Sequence, residues 1–341
     1  MRLVFDVTPL SHPRTGIGNY MLAMLRGLGE VAGDRHELVF FAPTGPRNAW
    51  RLREALAGIP GTRRLNVIVP PSNVWRKLWS RSQRLAVERL VGPLDVFHFS
   101  DWMYPPQRGG LRTTTVHDLI PLHHPDWVDP RTQALHVPKY RHAAMTCDVI
   151  FVNSEYTADD VAQSLGFPRK RIVVAHPGIH PRFSPDGPRE EGDYLLAVGT
   201  VDPRKNLERA TEAARLVGLE LRIAGHDGSL GFVDNERLAA LYRGATALIF
   251  PSLMEGFGIP VVEAMASGTP AVVSSHPSLD DASGDAAVRV DPKNPEAIAE
   301  GIRRAIDERE ALVTRGLEHA ARFTWRACGQ AMLQGYEGAR G

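Results

Sequence analysis

The sequence predicts an α/β protein made of two doubly wound domains, and three observations lead to this prediction. Short apolar runs alternate with helix-periodic segments along the chain, as in parallel strands covered by helices. The alternation stops at residues 176–188, which hold four prolines and two glycines, and then starts again. The 341 residues also exceed one ordinary hydrophobic core, so two domains are expected.

The composition excludes several classes of protein. A hydrophobic content of 43% and a charged content of 23% are typical of soluble globular chains. A net charge of +1 argues against a general nucleic-acid binder. The two cysteines, Cys147 and Cys328, are expected to be buried free thiols, as in a reducing compartment. The chain starts directly with a strand, and no apolar run approaches the ~18 residues that span a bilayer, so a cytoplasmic location is expected.

The first half begins as a Rossmann-like unit. A strand at residues 2–7 is followed by a loop over residues 8–18 and then by an apolar-periodic helix. Gly16 and Gly18 in this loop are compatible with a plain tight turn. Met21 replaces the third glycine of a dinucleotide fingerprint, so a nicotinamide site is only weakly indicated. Further strands are predicted at residues 38–42, 65–69, 95–99, 113–116, 148–153 and 171–175, and helices at 131–145 and 154–165.

Two histidines lie at the carboxyl ends of predicted strands, which is where an open α/β sheet binds its ligands. His117 directly follows the strand at residues 113–116, and Asp118 comes next. His98 lies near the end of the strand at residues 95–99. A single histidine is more often structural than functional, so both interpretations stay open for each residue.

The segment from Trp75 to Leu90 is predicted to form one amphipathic helix. Trp75 and Trp79 share its apolar face, and its other positions are rich in basic residues, among them Arg81 and Arg84. A helix of this kind can dock on an anionic membrane surface. The alternative is a core helix with a solvated basic face.

The second half restarts with a strand at residues 193–198. Arg204 and Lys205 follow, just before a helix that begins at Leu207. Two adjacent cations at a helix N-terminus repel each other and oppose the helix dipole. Their placement is easier to explain if an anion lies between them, and a solvated basic turn is the alternative. Further strands are predicted at residues 220–224, 247–250, 271–274 and 286–290, and helices at 235–243, 295–307, 310–322 and 325–336.

The most informative stretch is residues 248–268, L-I-F-P-S-L-M-E-G-F-G-I-P-V-V-E-A-M-A-S-G. A buried strand is followed by a glycine-containing turn, and Pro260 starts a helix. Glu255 lies in the turn, and Glu263 is expected in the first helical turn, where the helix dipole favours its ionised form. Carboxylates accept hydrogen bonds from sugar hydroxyls, and helix-end amides bind phosphate. A ligand with hydroxyls and phosphates would therefore suit this stretch.

This stretch resembles the E-x7-E segment of the retaining glycosyltransferases of the family-4 type, which have the two-domain GT-B architecture. The resemblance covers nearly the whole chain, and this segment is its most specific part. It implies that Glu255 contacts the donor sugar and that Glu263 binds the ribose. Lys205 matches the lysine that holds the donor diphosphate, and Arg204 stands beside it, whereas the commoner pattern has arginine at the position of Thr200.

The same resemblance implies roles for further residues. The H-D-L-I-P-L run matches a segment whose histidine reaches the donor sugar, and the first glycine loop matches one that faces the donor phosphates. The backbone of the turn before Pro260 would bind the sugar or its phosphates. The predicted catalytic residues are His117, Arg204, Lys205 and Glu255, and the predicted donor-binding residues are Gly16, Gly18, Asp118, Gly256, Phe257, Gly258, Ile259 and Glu263.

Architecture and activity follow from the resemblance as expectations. The predicted parts are an acceptor-side domain at residues 1–180, a nucleotide-sugar-binding domain at 181–323 and a helix at 324–341 that crosses back to the first domain. The D-V-T-P-L and G-I-G-N-Y opening, with V-H-D-L-I-P-L, is similar to bacterial mannosyltransferases of surface-polysaccharide biosynthesis, including that of lipopolysaccharide. The expected reaction transfers a hexose, expected to be mannose from GDP-mannose, and retains its anomeric configuration.

The expected partners are a nucleotide-sugar donor and a glycan or lipid-linked acceptor. Peripheral contact with the cytoplasmic membrane face would be made by the tryptophan segment, and no nucleic acid is expected. No metal or other cofactor is expected, because the sequence has no D-x-D pair and no His or Cys cluster with ligand spacing. The alternatives are a transferase that uses a UDP-sugar, a non-catalytic nucleotide-sugar-binding protein of the same fold, and an epimerase or phosphorylase with the GT-B fold.

Overall fold

The computed structural model describes residues 1–13, 16–61, 63–68, 72–81, 85–100, 104–200 and 202–340. The chain divides into two compact units. The first unit consists of Met1–Gly178 together with Trp325–Gly341, and the second consists of Ile179–Thr324. The observed boundary lies two residues before the predicted one, and the C-terminal helix belongs to the first unit.

Each unit contains a parallel sheet, and most of its strands are apolar, as expected for strands that helices cover on both faces. The strands in the described residues are β1 (Arg2–Asp6), β2 (Glu37–Pro43), β3 (Arg63–Ile68), β4 (Val96–Phe99), β5 (Leu111–Val116), β6 (Val149–Val152), β7 (Ile172–Val174), β8 (Tyr194–Val198), β9 (Glu220–Ala224), β10 (Ala247–Phe250), β11 (Ala271–Ser274) and β12 (Val288–Val290). The first sheet has the order β3-β2-β1-β4-β5-β6-β7, and the second has the order β12-β11-β10-β8-β9.

Several of the helices begin directly after a residue whose side chain caps the helix. Ser154, Asp234 and Asn294 each accept a hydrogen bond from a backbone N–H of the first turn of their helix. The α-helices of the described chain are α1 (Gly16–Ala32), α2 (Pro46–Leu56), α3 (Ser72–Arg81), α4 (Glu88–Val91), α5 (Ile120–His123), α6 (Pro130–Thr146), α7 (Glu155–Leu165), α8 (Leu207–Val217), α9 (Asn235–Gly244), α10 (Ile259–Ala266), α11 (Asp280–Ser283), α12 (Pro295–Asp307), α13 (Arg309–Ala320) and α14 (Trp325–Gly338).

In the first unit, alternate residues of β1 pack on opposite faces of the sheet. Leu3 and Phe5 lie in a core cluster with residues of α1 and α14, whereas Val4 lies in a second cluster with residues of α3 and α6. The helices α1 and α14 touch through their backbones. A Cβ atom on Gly27 would overlap the backbone of Trp325, and one on Gly329 would overlap the backbone of Gly27 and its neighbour. The last helix is thereby part of the first core.

The second unit repeats this arrangement. Leu196 of β8 and Leu248 of β10 lie in one core cluster, with residues of α9 and α10. Leu195 and Ala247 lie in the other cluster, with residues of α8 and α12. The sheet is therefore buried on both faces, as its apolar strands predict.

The predicted helix from Trp75 to Leu90 is wrong. The segment forms two helices, α3 and α4, and residues 82–84 between them, including Arg84, lie outside the described residues. Trp75 and Trp79 are only 8% and 4% exposed, and both belong to the core cluster above the sheet. These tryptophans pack inside the protein because they lie next to apolar side chains of the sheet, so they are not available for membrane docking.

The predicted glycine loop is also shorter than expected. Helix α1 begins at Gly16, so Gly16 and Gly18 lie in its first turn rather than in a tight turn before it. The helix α2 was not predicted from the sequence. Its buried positions, Leu52, Ala55 and Leu56, follow the i, i+3, i+4 spacing of a helix face, but polar residues surround them.

Cys147 and Cys328 are buried free thiols, as predicted. Burial raises the pKa of each thiol to about 12, so both stay protonated and unreactive near neutral pH. None of the helices within the described ranges combines the length and the apolar character that crossing a bilayer requires.

Candidate functional site

The candidate site of the second unit lies at the carboxyl ends of β8 and β10. In this sheet β9 lies beside β8 and β11 lies beside β10, so the direction of chain progression reverses between β8 and β10. Parallel α/β sheets bind ligands at such a switch point, because the loops there diverge to opposite sides. The loop after β8 carries Arg204 and Lys205, and the loop after β10 carries Glu255.

Glu255 is the centre of this site. The residue is 7% exposed, and two cations hold its carboxylate. Lys205 Nζ lies 2.6 Å from Glu255 Oε1, and Arg204 Nη1 donates to Oε2 at 2.8 Å. Burial by itself raises the pKa of Glu255, but the charges of Lys205 and Arg204 outweigh burial and leave the pKa below its ordinary value. Glu255 is therefore ionised at neutral pH.

The sequence suggested that an anion lies between the two cations, and the structure places an anion there that belongs to the chain itself. Besides Glu255, Asp202 pairs with Arg204 Nε at 2.9 Å. Lys205 is buried, and its ammonium also lies 4.7 Å from the centroid of the Phe250 ring. A solvated basic turn, the alternative for this pair, does not fit a buried lysine.

Local backbone geometry fixes the two cations. Arg204 and Lys205 lie in a short 3₁₀ helix that Asp202 caps through the N–H of Arg204. Asn206 then adopts a left-handed conformation, with φ of 56°, which ends the 3₁₀ helix and starts α8. The side chain of Asn206 donates to the carbonyl of Pro251 at 3.1 Å. This hydrogen bond ties the loop after β8 to the loop after β10.

The turn after Glu255 has the close-packed geometry that its glycines suggest. Gly258 has a φ of +107°, a conformation that L-residues with side chains rarely adopt, and a Cβ atom on it would lie 2.6 Å from Leu279 Cδ2. Phe257 is buried in the core cluster, while Gly256 and Ile259 are partly exposed. The buried side chain of Phe257 thus anchors the backbone of this turn to the core of the second unit.

Glu263 differs from the prediction in two ways. It is the fifth residue of α10, one turn beyond the expected first turn, because the helix begins at Ile259. Burial raises its pKa to about 7, and the hydroxyl of Tyr242, which donates to Oε2 at 3.1 Å, offsets only part of that rise. The sequence predicted that the helix end favours the ionised form of Glu263, whereas burial in the structure favours the protonated form.

In the first unit the predicted residues lie around the carboxyl ends of β1, β4 and β5. His117 is partly buried, and its Nδ1 lies 3.1 Å from the side-chain nitrogen of Asn153. The ring of Tyr20, in the first turns of α1, packs edge-on against His117 with centroids 4.7 Å apart. The glycine end of α1 and His117 are thus neighbours. Asp118 accepts a hydrogen bond at 3.0 Å from the N–H of Ile120, the first residue of α5.

His98 has a structural environment. It is 5% exposed, its Nε2 lies 3.1 Å from the hydroxyl of Thr115, and its Nδ1 lies 3.1 Å from Thr113 and 3.0 Å from Tyr336 of α14. The histidine therefore joins the centre of the sheet to the last helix. Of the two strand-end histidines, only His117 retains a partly exposed ring.

Sequence reasoning did not find several residues that shape these sites. Tyr242, the partner of Glu263, lies on α9 and has no distinguishing neighbours in sequence. Asp6 at the end of β1 accepts hydrogen bonds from Thr8 and from the hydroxyl of Ser100, and burial raises its pKa. Its position at a strand end was the signal available. In the ranges that the structure describes, no three His, Cys, Asp or Glu side chains come together as a metal site.

Comparison with known families identifies both halves of the chain. A family model for Glycosyltransferase Family 4 matches residues 14–183. A family model for Glycosyl transferases group 1 matches residues 219–323, which include the site around Glu255. The O-antigen chain mannosyltransferase B of Escherichia coli is 27% identical over 394 aligned residues, which cover 99% of this chain and 100% of that protein.

Two solved structures share the fold. WaaG, a glycosyltransferase involved in lipopolysaccharide biosynthesis, superposes with a TM-score of 0.65 at 15% identity, over 96% of this chain and 97% of that chain. HepE from Anabaena, in complex with UDP and glucose, superposes with a TM-score of 0.63 at 13% identity, over 98% of each chain. Two parallel sheets of this kind, together with both family matches, place the chain among the group 1, family-4 glycosyltransferases of GT-B architecture.

Proposed function

We propose that this glycosyltransferase moves mannose from GDP-mannose to a glycan or lipid-linked glycan acceptor, with retention of configuration and without a metal ion. The observation that carries the proposal is the buried carboxylate of Glu255 between Lys205 and Arg204. A sugar with many hydroxyls needs an ionised acceptor, and a departing diphosphate needs fixed cations. This cluster supplies both the anion and the cations at the carboxyl ends of the strands, where α/β sheets bind their ligands.

Arg204 and Lys205 would stabilise the diphosphate that leaves. Negative charge grows on the leaving group as the bond to the sugar breaks, and preorganised cations in a partly buried site stabilise that charge most effectively. An ammonium has three donors and a guanidinium has five, so both side chains can contact Glu255 and phosphate oxygens at the same time. These two side chains would take the place of a metal ion.

Glu255 and Glu263 would have different roles. The ionised Glu255 would accept hydrogen bonds from the hydroxyls of the donor sugar. Glu263, next to the Tyr242 hydroxyl, would accept from the ribose hydroxyls. With its pKa near 7, this second carboxyl would bind ribose best above neutral pH, where it is ionised. The backbone amides of the turn from Gly256 to Ile259 would contact the sugar or its phosphates.

On the acceptor side, His117 would reach the transferred sugar, and Gly16, Gly18 and Asp118 would contribute to the donor phosphate environment. The support for this role is the packing of His117 against Tyr20 of the helix that the glycines begin. The mannose assignment rests on the similarity to an O-antigen chain mannosyltransferase over the full length of both chains.

A transfer assay with labelled donors tests the proposal. Purified enzyme would be given GDP-mannose, UDP-glucose or GDP-glucose with a panel of lipid-linked saccharide acceptors, in the presence of a chelator. We expect transfer from GDP-mannose alone and an α-linked product, as judged by NMR of the new anomeric proton. Transfer from UDP-glucose would contradict the donor assignment, a β-linked product would contradict retention, and a requirement for metal would contradict the role of the two cations.

The variant Glu255→Gln tests the role of Glu255 in this assay, because it keeps the shape of the side chain and removes its charge. If Glu255 binds the transferring sugar, the rate should fall at least tenfold, or about 1.4 kcal/mol of transition-state stabilisation. A rate above a tenth of the wild-type value would contradict the role given to Glu255.

We also propose that the first unit contacts an anionic membrane surface through the exposed face of α3. Trp75 and Trp79 are buried, but Val74 and Leu78 are 45% and 44% exposed at i, i+4 spacing. Arg76 and Lys77 are exposed beside them. Apolar side chains flanked by basic ones are the pattern of helices that lie on anionic lipid.

Vesicle sedimentation tests this contact. The variant Lys77→Glu with Leu78→Ser should lose binding to vesicles that contain anionic phospholipid. The matched control is Arg215→Glu with Leu216→Ser, because Arg215 and Leu216 are exposed on α8 in the second unit. Equal binding by both variants, or no binding by the wild type, would contradict the proposal.

A further inference from the structure

Glu255 has a second set of contacts, made by the segment that follows β11. We call residues 275–279 the support loop. The backbone N–H of Glu255 donates to the hydroxyl of Ser278 at 3.0 Å. Ser278 is 1% exposed. The side chain of Glu255 is thus held by the loop after β8, while its main chain is held by the loop after β11.

The hydrogen bonds of Ser278 are fully determined by its neighbours. A serine hydroxyl has one proton, and one of its lone pairs accepts from Glu255. Ser278 Oγ lies 2.9 Å from His276 Nδ1, and the N–H of Ser278 donates to the same nitrogen at 3.2 Å. Nδ1 is therefore an acceptor, and the neutral ring of His276 carries its proton on Nε2. In this tautomer the hydroxyl proton points at His276, and the lone pair points at Glu255.

The support loop is fastened by Arg289 of β12. The guanidinium Nε donates to the carbonyl of Ser274 at 2.9 Å, and Nη2 donates to the carbonyl of His276 at 3.0 Å. A third donor, Nη1, reaches the hydroxyl of Ser283 at 2.7 Å. Asp280 pairs with the same guanidinium at 2.8 Å. These contacts hold both ends of the support loop in place.

The support loop also packs against the glycine turn that follows Glu255. Leu279 of the loop lies so close to Gly258 that a Cβ atom there would approach Leu279 Cδ2 to 2.6 Å. One segment therefore supports the turn at two points, a hydrogen bond at Glu255 and van der Waals contact at Gly258. A side chain that must be placed within a fraction of an ångström needs support of this kind.

We propose that Ser278, oriented by His276, is a positioning residue that fixes the main chain of Glu255 so that its carboxylate meets Lys205 and Arg204 and, in the reaction, the donor sugar. This inference rests on the proposed function, because it assumes that the place of Glu255 matters for transfer. It adds that hexose transfer depends on two residues that are not expected to touch the donor.

The test compares Ser278→Ala, His276→Ala and His276→Asn with the wild type. Ser278→Ala removes the acceptor for the Glu255 N–H, and His276→Ala removes the group that orients that acceptor. Both should lower kcat about 10- to 100-fold, because small misplacement of a reacting group has effects of that size. His276→Asn should keep kcat within about threefold, because an asparagine oxygen can accept the same two hydrogen bonds. The affinity for the free nucleoside diphosphate should not change in any of them.

A second measurement separates positioning from general loss of structure. Ser278→Ala should have almost no further effect on kcat when Glu255 is already Gln, since residues that act as a unit are not additive. Hydrogen exchange of the Glu255 amide should become faster in Ser278→Ala, while exchange in the strands stays unchanged.

The outcomes are distinguishable. If Ser278→Ala keeps the wild-type kcat, or if its effect multiplies with that of Glu255→Gln, the positioning role is wrong while the proposed function stands. If Ser278→Ala does not fold, the comparison of His276→Ala with His276→Asn decides, and equal rates for these two variants overturn the inference. If the wild type transfers no hexose from any donor, the proposed function is wrong, and the inference falls with it.

Discussion

Two glutamates eight positions apart lie in opposite electrostatic environments. Glu255 is surrounded by cations that keep its pKa below the ordinary value. Glu263 has a tyrosine hydroxyl as its partner, and burial raises its pKa to about 7. When their environments shift the pKa values of two carboxyl groups in opposite directions, the two groups are suited to different chemical roles. We infer that one acts as a permanent anion and that the other changes charge near neutral pH.

The pKa of Glu263 predicts a pH dependence of stability. The folded value of about 7 lies above the ordinary value of 4.5, so the folded state holds this proton more tightly than the unfolded state. The stabilisation is fully present below pH 4.5 and is lost as the pH rises through 7. Between pH 4.5 and 8 the wild type should lose about 3 kcal/mol more unfolding free energy than Glu263→Gln does. Urea unfolding at both pH values measures this, and equal losses would contradict it.

The pairing of Lys205 with Glu255 predicts a rescue. Removing one partner of a buried pair leaves the other charge uncompensated, so Glu255→Ala should destabilise the second unit by about 3 kcal/mol. Adding Lys205→Met removes the stranded charge and should recover much of that loss, while Arg204 keeps Asp202. Thermal unfolding of the single and double variants tests this. A double variant less stable than Glu255→Ala would contradict the account.

The sequence indicated which residue types mark the site but not how they pair. Adjacent cations before a helix and the two glutamates were recognisable because both patterns are local. The position of Glu255 between the two cations was not recognisable from the sequence, because this pairing forms only when two loops from different strands meet. The hydrogen-bond partner of Glu263, Tyr242, comes from another helix, so no local pattern contains this pair.

At the scale of elements, the contact of α1 with α14 depends on glycine. Gly27→Ala would place a methyl group into the backbone of Trp325, so it should destabilise the first unit by roughly 2–3 kcal/mol. Gly338→Ala is the control, because Gly338 is the last residue of the partner helix α14 and has no atom of the described residues within 4 Å of an added Cβ. It should be neutral or slightly stabilising, as alanine is the better helix former. Equal stability of the two variants would contradict the close helix contact.

Strands were easier to predict than helices in this fold. A strand buried on both faces is a short run of apolar residues, and each predicted strand overlaps an observed one. Helix ends depend on tertiary contacts. Trp75 and Trp79 lie on one face of α3, and this face packs on the sheet. The helix itself ends at Arg81 and does not continue to Leu90. The spacing alone did not distinguish a core face from a membrane face.

At the scale of the whole molecule, the first unit is built from both ends of the chain. Cys328, Met332, Leu333 and Tyr336 of α14 are buried in its core. A chain that ends at Thr324 would expose that core. For each large side chain of α14 that is missing, the first unit would lose roughly 2 kcal/mol of stabilisation from apolar burial. Hydrogen exchange should then show loss of protection in β1 and α1 but not in β10 and β11. A chain ending at Gly338 is the control, and unchanged protection of β1 in the shorter chain would contradict this account.

The central claim is that Lys205, Arg204 and Glu255 form the site for a nucleotide-sugar donor. Calorimetric titration with GDP, UDP and ADP, without metal, tests it most directly when the wild type is compared with Lys205→Met. We expect GDP to bind selectively to the wild type and its affinity to fall at least tenfold in the variant, or about 1.4 kcal/mol. Binding of none of the nucleotides, or equal affinity in Lys205→Met, would contradict the claim.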